Sequence, residues 1–206
     1  IALLFQAGGL GIMTFAALVH MLGHGRLLLK EQVALREAFG GIPLGKASAI
    51  VGRVFFYTIA LEFLGALLLF LLWQDRFDTQ TQAFSSAVFH AVSAFCNAGF
   101  SLFSGGLAAF DLGTGGQVVM GCLIVLGGLG FPVLVNLSSH PLWGKQDRHR
   151  RWRLSYHAKV VLLATGVLIP LGGLVFMTLE WNASLAEIPW YGRPLAALFH
   201  SVSART

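Results

Sequence analysis

The sequence predicts an all-α integral membrane protein made of repeated helix–loop–helix units. Three observations carry that expectation. Apolar residues make up 56% of the 206-residue chain and charged residues only 11%, too few charges to cover a water-facing surface. Four apolar runs are long enough to cross a hydrocarbon core of about 30 Å, which takes roughly 20 helical residues. Two patterns also occur twice, about 120 and about 110 residues apart. Gly8-Gly9-Leu10-Gly11 returns as Gly127-Gly128-Leu129-Gly130, and Phe89-His90-Ala91-Val92-Ser93 returns as Phe199-His200-Ser201-Val202-Ser203.

The elements follow in chain order. Residues 1–22 are expected as the exit helix of one repeat; no charged stretch precedes them, so they do not read as a cleaved signal. Residues 23–47 form a connection, and a span over 48–73 opens the next unit. The segment 83–95 has helical character but is too short to cross. Unpaired backbone amides are prohibitive in lipid, so such a half-helix must dip in and return, its non-helical continuation enclosed by protein or facing a wet cavity. A span over 116–143 closes a complete repeat, 48–143. After a basic connection, 144–156, residues 157–206 supply the entry helix of a further repeat, its span running to 181, and a second half-helix over 194–203. Because Ile1 stands inside an apolar run and Arg205-Thr206 interrupts the second copy of a motif, the chain reads as a fragment of a longer protein.

Charge sets the orientation. Arg26, Lys30, Arg36, Lys46 and Arg53 cluster between and at the start of the first two spans. Lys145, Arg148, Arg150, Arg151, Arg153 and Lys159 cluster between the last two. These connections are cytoplasmic by the positive-inside rule, and both half-helices enter from outside, where Asp75, Asp78, Asp111, Glu180 and Glu187 lie. The net charge of +5 is thereby explained without nucleic acid as a partner. The run Arg148–Arg153 anchors lipid headgroups or docks another subunit.

The polar island that follows the first half-helix, Cys96-Asn97-Ala98-Gly99-Phe100, has the composition of an ion-selectivity filter. A cation leaving water needs its hydration shell replaced by oxygens, which backbone carbonyls supply without a full charge that would trap it. Gly99 permits dihedrals that a Cβ disfavours. Carbonyls of Cys96, Asn97 and Ala98 would flank it, and the Asn97 side chain either faces the ion or braces the loop. The half-helix aims its carbonyl end at the cation path. His90, Ser93, His200 and Ser203 read as supports beneath two such loops. Glu62, in mid-span where a charge is costly, reads as a further support or a direct ion contact. Asn136 and Ser138 line a vestibule or bond to backbone. His20 and His24 have the i, i+4 spacing of a metal pair but no third ligand; with Glu62 they define the alternative of a membrane-embedded enzyme. Cys96 and Cys122 match no metal spacing.

The segments Phe5–Phe15, Phe89–Phe100, Leu154–Lys159 and His200–Thr206 resemble the Trk/Ktr family of potassium-uptake proteins, the KtrB/TrkH-like pore subunit, in order along essentially the whole chain. The resemblance implies four helix–pore loop–helix repeats around a central ion pore. It makes Gly99 the filter glycine of the second repeat and Thr206 the opening residue of the third filter, with K+ held by the carbonyls of Cys96, Asn97, Ala98, Gly99 and Thr206. It implies no cofactor in this chain and no enzymatic activity. K+ is the transported ion, Na+ or H+ a coupling ion, and the alternative is a Na+-permeable transporter of the same architecture. The implied partners are a second copy of the pore subunit and a cytoplasmic nucleotide-binding regulatory subunit, in a bacterial inner membrane.

Overall fold

The computed structural model describes Leu4, Gln6, Gly8 and residues 47–103, 112–138 and 154–204. Most of the two basic connections, the first apolar run apart from those three residues, His20, His24, Asp111 and Thr206 lie outside them. Six α-helices are described: α1 (Ala47–Trp73), α2 (Gln80–Phe95), α3 (Gly113–Gly128), α4 (Phe131–Ser138), α5 (Tyr156–Leu179) and α6 (Arg193–Ser203).

The 27 residues of α1 reach about 40 Å and the 24 of α5 about 36 Å at 1.5 Å per residue. Both exceed the hydrocarbon thickness. The 16 residues of α2 and 11 of α6 fall short of it. Among the described residues two segments are long and apolar enough to cross, Val54–Arg76 and Tyr156–Leu179.

Burial on α1 recurs at three- and four-residue steps, through Val54, Thr58, Glu62, Ala66, Leu69 and Trp73, one stripe of a helix. Its other faces expose Phe55, Phe56, Phe63 and Leu71, and α5 exposes Leu163, Leu168, Leu174 and Leu179. In water such surfaces would aggregate; in a bilayer they meet lipid or other membrane helices. This is an integral membrane protein.

α2 lies against α1 and α3, and α6 against α5 and α3. α3 is therefore a shared wall touched by both half-helices. α2 can approach closely because its buried face is built largely from Ala83, Ser86, Ala87, Ala91, Ser93 and Ala94. The Thr79 hydroxyl starts it by accepting from the Gln82 N–H at 3.3 Å. Ser155 does the same for α5, accepting from the Ala158 N–H at 3.1 Å. Arg193, at the start of α6, donates to the carbonyls of Ile188 at 2.9 Å and Ala186 at 3.2 Å and lies over the Trp181 ring at 4.6 Å. That cage offsets a positive charge on the side read as external. Beside it Trp190 and Tyr191 are exposed, as interfacial aromatics are.

The span expected as one helix over 116–143 is two helices as far as Ser138. α3 stops at Gly128, Gly130 takes φ +79°, and α4 begins at Phe131. Pro132 lies in the first turn of α4, where its missing N–H costs nothing. The break has a partner across the structure, the loop that follows α2.

Candidate functional site

The last turn of α2 determines where the loop goes. The Cys96 N–H donates to the Val92 carbonyl at 2.9 Å, Asn97 to Ala94 at 3.1 Å and Ala98 to Ser93 at 2.9 Å. The last two bonds, with Asn97 at φ +51°, form a Schellman turn, which reverses the chain just past the helix. Gly99 follows at φ +69°. These bonds use the carbonyls of Val92, Ser93 and Ala94. Among the described residues no donor reaches the carbonyls of Cys96, Asn97, Ala98 or Gly99. The loop thus carries four consecutive uncommitted carbonyls at the negative end of a helix dipole.

The returning chain is pinned to α2. The Ser93 hydroxyl donates to the Phe100 carbonyl at 2.8 Å and accepts from the Phe100 N–H at 3.1 Å. Ser93→Ala removes both bonds, a cost of about 0.5–1.5 kcal/mol each. The variant is expected to melt lower in detergent and to discriminate less among cations in a flux assay.

His90, fully buried, donates from Nδ1 to the Ser86 carbonyl at 2.8 Å. Its Nε2 accepts from the Ser101 hydroxyl at 3.3 Å and the Leu102 N–H at 3.4 Å. That pattern assigns a neutral ring with the proton on Nδ1. Phe103 stacks on it at 4.7 Å and Trp73 meets it edge-on at 5.7 Å. His90 thus ties the returning chain at Ser101 and Leu102 to α2. His200, its counterpart in the repeat, is exposed and stacks on Phe176 at 4.6 Å. Next to it Ser201 donates to the Ile169 carbonyl at 2.9 Å, tying α6 to α5, while Ser203 closes α6.

Two further helices hold the loop. With the Asn97 amide assigned the orientation that satisfies both of its atoms, the Gly128 N–H of α3 donates to the Asn97 side-chain oxygen at 3.1 Å and the Asn97 amide nitrogen donates to the Ile124 carbonyl at 3.2 Å. Asn97 therefore reaches two backbone groups one turn apart, Ile124 and Gly128, near the end of α3. Of the two roles the sequence leaves open, its side chain braces. Beside it Gly127 lies so close to the Phe95 carbonyl that a Cβ would overlap the oxygen.

From α1, the Glu62 carboxylate accepts from the Gln6 side-chain amide at 2.9 Å. The Cys96 thiol lies 3.7 Å from both the Glu62 and the Gln6 side-chain oxygens. Thr58, one turn earlier on the same stripe, has a buried hydroxyl with no partner among the described residues. The sequence signal for Gln6 is a lone amide in an apolar run, which some polar group must face. Asn136 accepts from the Ser155 N–H at 3.4 Å, so of its two expected roles it takes the backbone one.

Among the described residues no group of three His, Cys, Asp or Glu side chains could hold a metal ion, and Cys96 and Cys122 are free thiols.

The family described as TrkH, cation transport protein, matches residues 2–206. Similar proteins include Ktr system potassium uptake protein B of Vibrio alginolyticus, 35% identical over 98% of this chain and 44% of the relative. Its namesake in Bacillus subtilis (strain 168) is 32% identical over the same shares. Potassium/sodium uptake protein NtpJ of Enterococcus hirae is 28% identical over 98% of this chain and 43% of the relative. The chain thus spans less than half the length of these relatives. A match across nearly every residue to transport proteins sets aside the enzyme built on His20, His24 and Glu62. With a half-helix, a glycine loop and apolar spans in the order its motifs require, the chain belongs to the Trk/Ktr family of cation transport proteins.

Proposed function

We propose that this chain contributes the second filter, and part of the third, to the pore of a potassium-uptake transporter. The carrying observation is the run of four uncommitted carbonyls, Cys96 to Gly99, at the end of α2. A dehydrating cation needs such oxygens, and a loop inside a membrane protein leaves them unpaired at a cost unless something binds there. Ser93, His90 and Asn97 fix the loop from three sides, which supplies the preorganisation that selection requires. Thr206 would open the equivalent third filter, supported by His200 and Ser203.

In this reading four repeats surround the pore, the loops enter from outside, and the exposed Asp75 and Asp78 raise the local cation concentration. Screening confines those acids to an effect on rate. The two basic connections lie in the cytoplasm. A second copy of the pore subunit and a cytoplasmic nucleotide-binding subunit are the proposed partners, the latter docking near Arg148–Arg153. Na+ or H+ would be a coupling ion. A second reading, uptake of Na+ as well as K+, draws on the similarity to the potassium/sodium uptake protein of Enterococcus hirae.

The test is K+ and Na+ uptake by the full-length protein, with and without the regulatory subunit, in cells that lack their own potassium uptake. Saturable K+ uptake at low Na+ uptake is expected. Equal uptake of both ions favours the second reading, and no cation flux with either preparation, at verified membrane insertion, overturns both.

A further inference from the structure

Glu62 is a carboxyl group only 5% exposed, held inside the membrane region by two neutral partners, Gln6 and Cys96. Its position is electrostatically adverse. Cys96 is the C-terminal cap of α2, so the carboxylate lies at the negative end of that helix, where an anion is disfavoured. Burying a charge without a counter-charge is costly, and an apolar residue on this stripe would pack α1 against α2 without that cost. A charge on Glu62 therefore needs something else to favour it.

The same contacts join three parts of the chain. Gln6 belongs to the exit helix that precedes the repeat, Glu62 to the entry helix α1, and Cys96 to the start of the loop. The internal repeat shows that this arrangement is used at one boundary and not at the next. The offset that maps Gly8 onto Gly127 maps Gln6 onto Val125, and the offset that maps His90 onto His200 maps Glu62 onto Gly172. At Gly172 there is no room for a carboxylate, because even a Cβ would overlap the Ser201 hydroxyl. The two units are built differently: a close contact of α5 with α6 at Gly172 in one, a buried carboxyl group at Glu62 in the other.

We propose that Glu62 is a positioning residue for the second filter, clamping Cys96 to the preceding repeat through Gln6 and lending its charge to cation binding on the strand that Cys96 opens. The proposal rests on the filter reading above. A cation among the carbonyls of Cys96 to Gly99 supplies the counter-charge that α1 and α2 do not, so the buried anion and the bound ion favour each other reciprocally. The anion sits behind the loop and leaves ligation to the carbonyls, which keeps it from trapping the ion.

The experiment is K+ and Na+ uptake kinetics of the full-length protein in vesicles, comparing wild type with Glu62→Gln and Gln6→Ala. Glu62→Gln keeps the shape and an acceptor for Gln6 but removes the charge. It is expected to raise KM for K+ on the order of tenfold, within the range of coupled sites, with the maximal rate within about twofold. Glu62→Asp, which keeps the charge, is expected to bring KM back toward wild type. Gln6→Ala keeps the charge but loosens the clamp, and is expected to lower the preference for K+ over Na+ about fivefold while KM changes less, again within that range. It also carries the test where Glu62→Gln does not accumulate. An unchanged KM in Glu62→Gln, or an unchanged preference in Gln6→Ala, overturns the proposal and leaves the filter reading standing. Absence of K+ uptake by wild type, with the regulatory subunit present, overturns the filter reading and this proposal with it.

Discussion

Gly99→Ser is expected to reduce the preference for K+ over Na+ by roughly tenfold while leaving the amount of folded protein near that of wild type. The two halves of that expectation have separate physical sources. Among the described residues, its chain neighbours aside, no atom lies within 4 Å of the place a Cβ would occupy at Gly99, so none of them opposes the substitution sterically. The backbone there has φ +69°, a region that costs a residue with a Cβ about 1–2 kcal/mol. The loop can relieve that strain by rotating the peptides on either side of Gly99. Those peptides bear the carbonyls proposed to replace the ion's hydration shell. A strain of this size, spent on moving them, corresponds to about a tenfold change in relative affinity. Uptake of K+ and Na+ at matched membrane expression is the measurement. An unchanged ratio in a folded variant would remove Gly99 from the filter.

The parts of this structure that were legible in the sequence are those governed by length and local composition. α2 begins three residues before its expected start and α6 one, because a helical pattern too short to cross a bilayer, followed by a polar turn, has few other uses. That Ser93 and His90 would bond to nearby groups was also readable, since small polar residues on the buried face of a half-helix must bond to something. What could not be read depends on contacts between segments far apart in the chain. A Gly-Gly-Leu-Gly run inside an apolar stretch is compatible with an unbroken helix packed closely on a neighbour. It becomes an interruption at Gly130, at φ +79°, beside the loop that Phe95 and Asn97 bring against the end of α3. Glu62 announced itself as a costly charge, yet its partner Gln6 lies 56 residues away, and nothing local to either residue names the other. The different surroundings of His90 and His200 likewise escape a repeat that shows the same letters twice.

Gly127→Ala is expected to have the larger effect on the protein itself: loss of most folded, transport-competent material after extraction from the membrane. The obstacle is the Phe95 carbonyl, a backbone group, with the Asn97 amide 3.2 Å from the same point. No rotamer change can clear it. Either α3 moves away, which breaks the Asn97 bonds to Ile124 and Gly128 and exposes the loop, or the end of α2 moves, which shifts the Schellman turn and all four uncommitted carbonyls. Overpacking of this kind costs about 1–3 kcal/mol or more, a large share of a typical stability. Gly65→Ala provides the contrast. A Cβ there would come 2.6 Å from Leu123, nominally a severe clash, but the atoms it meets are the ends of a side chain that can turn aside. Its expected cost is about 1 kcal/mol, at the low end for an overpacked core. Thermal denaturation in detergent and cation flux at matched expression would rank the two variants. If Gly127→Ala matched Gly65→Ala in both, the close approach of α3 to the loop would not be what holds the carbonyls in place, and the brace would rest on Asn97 and Ser93 alone.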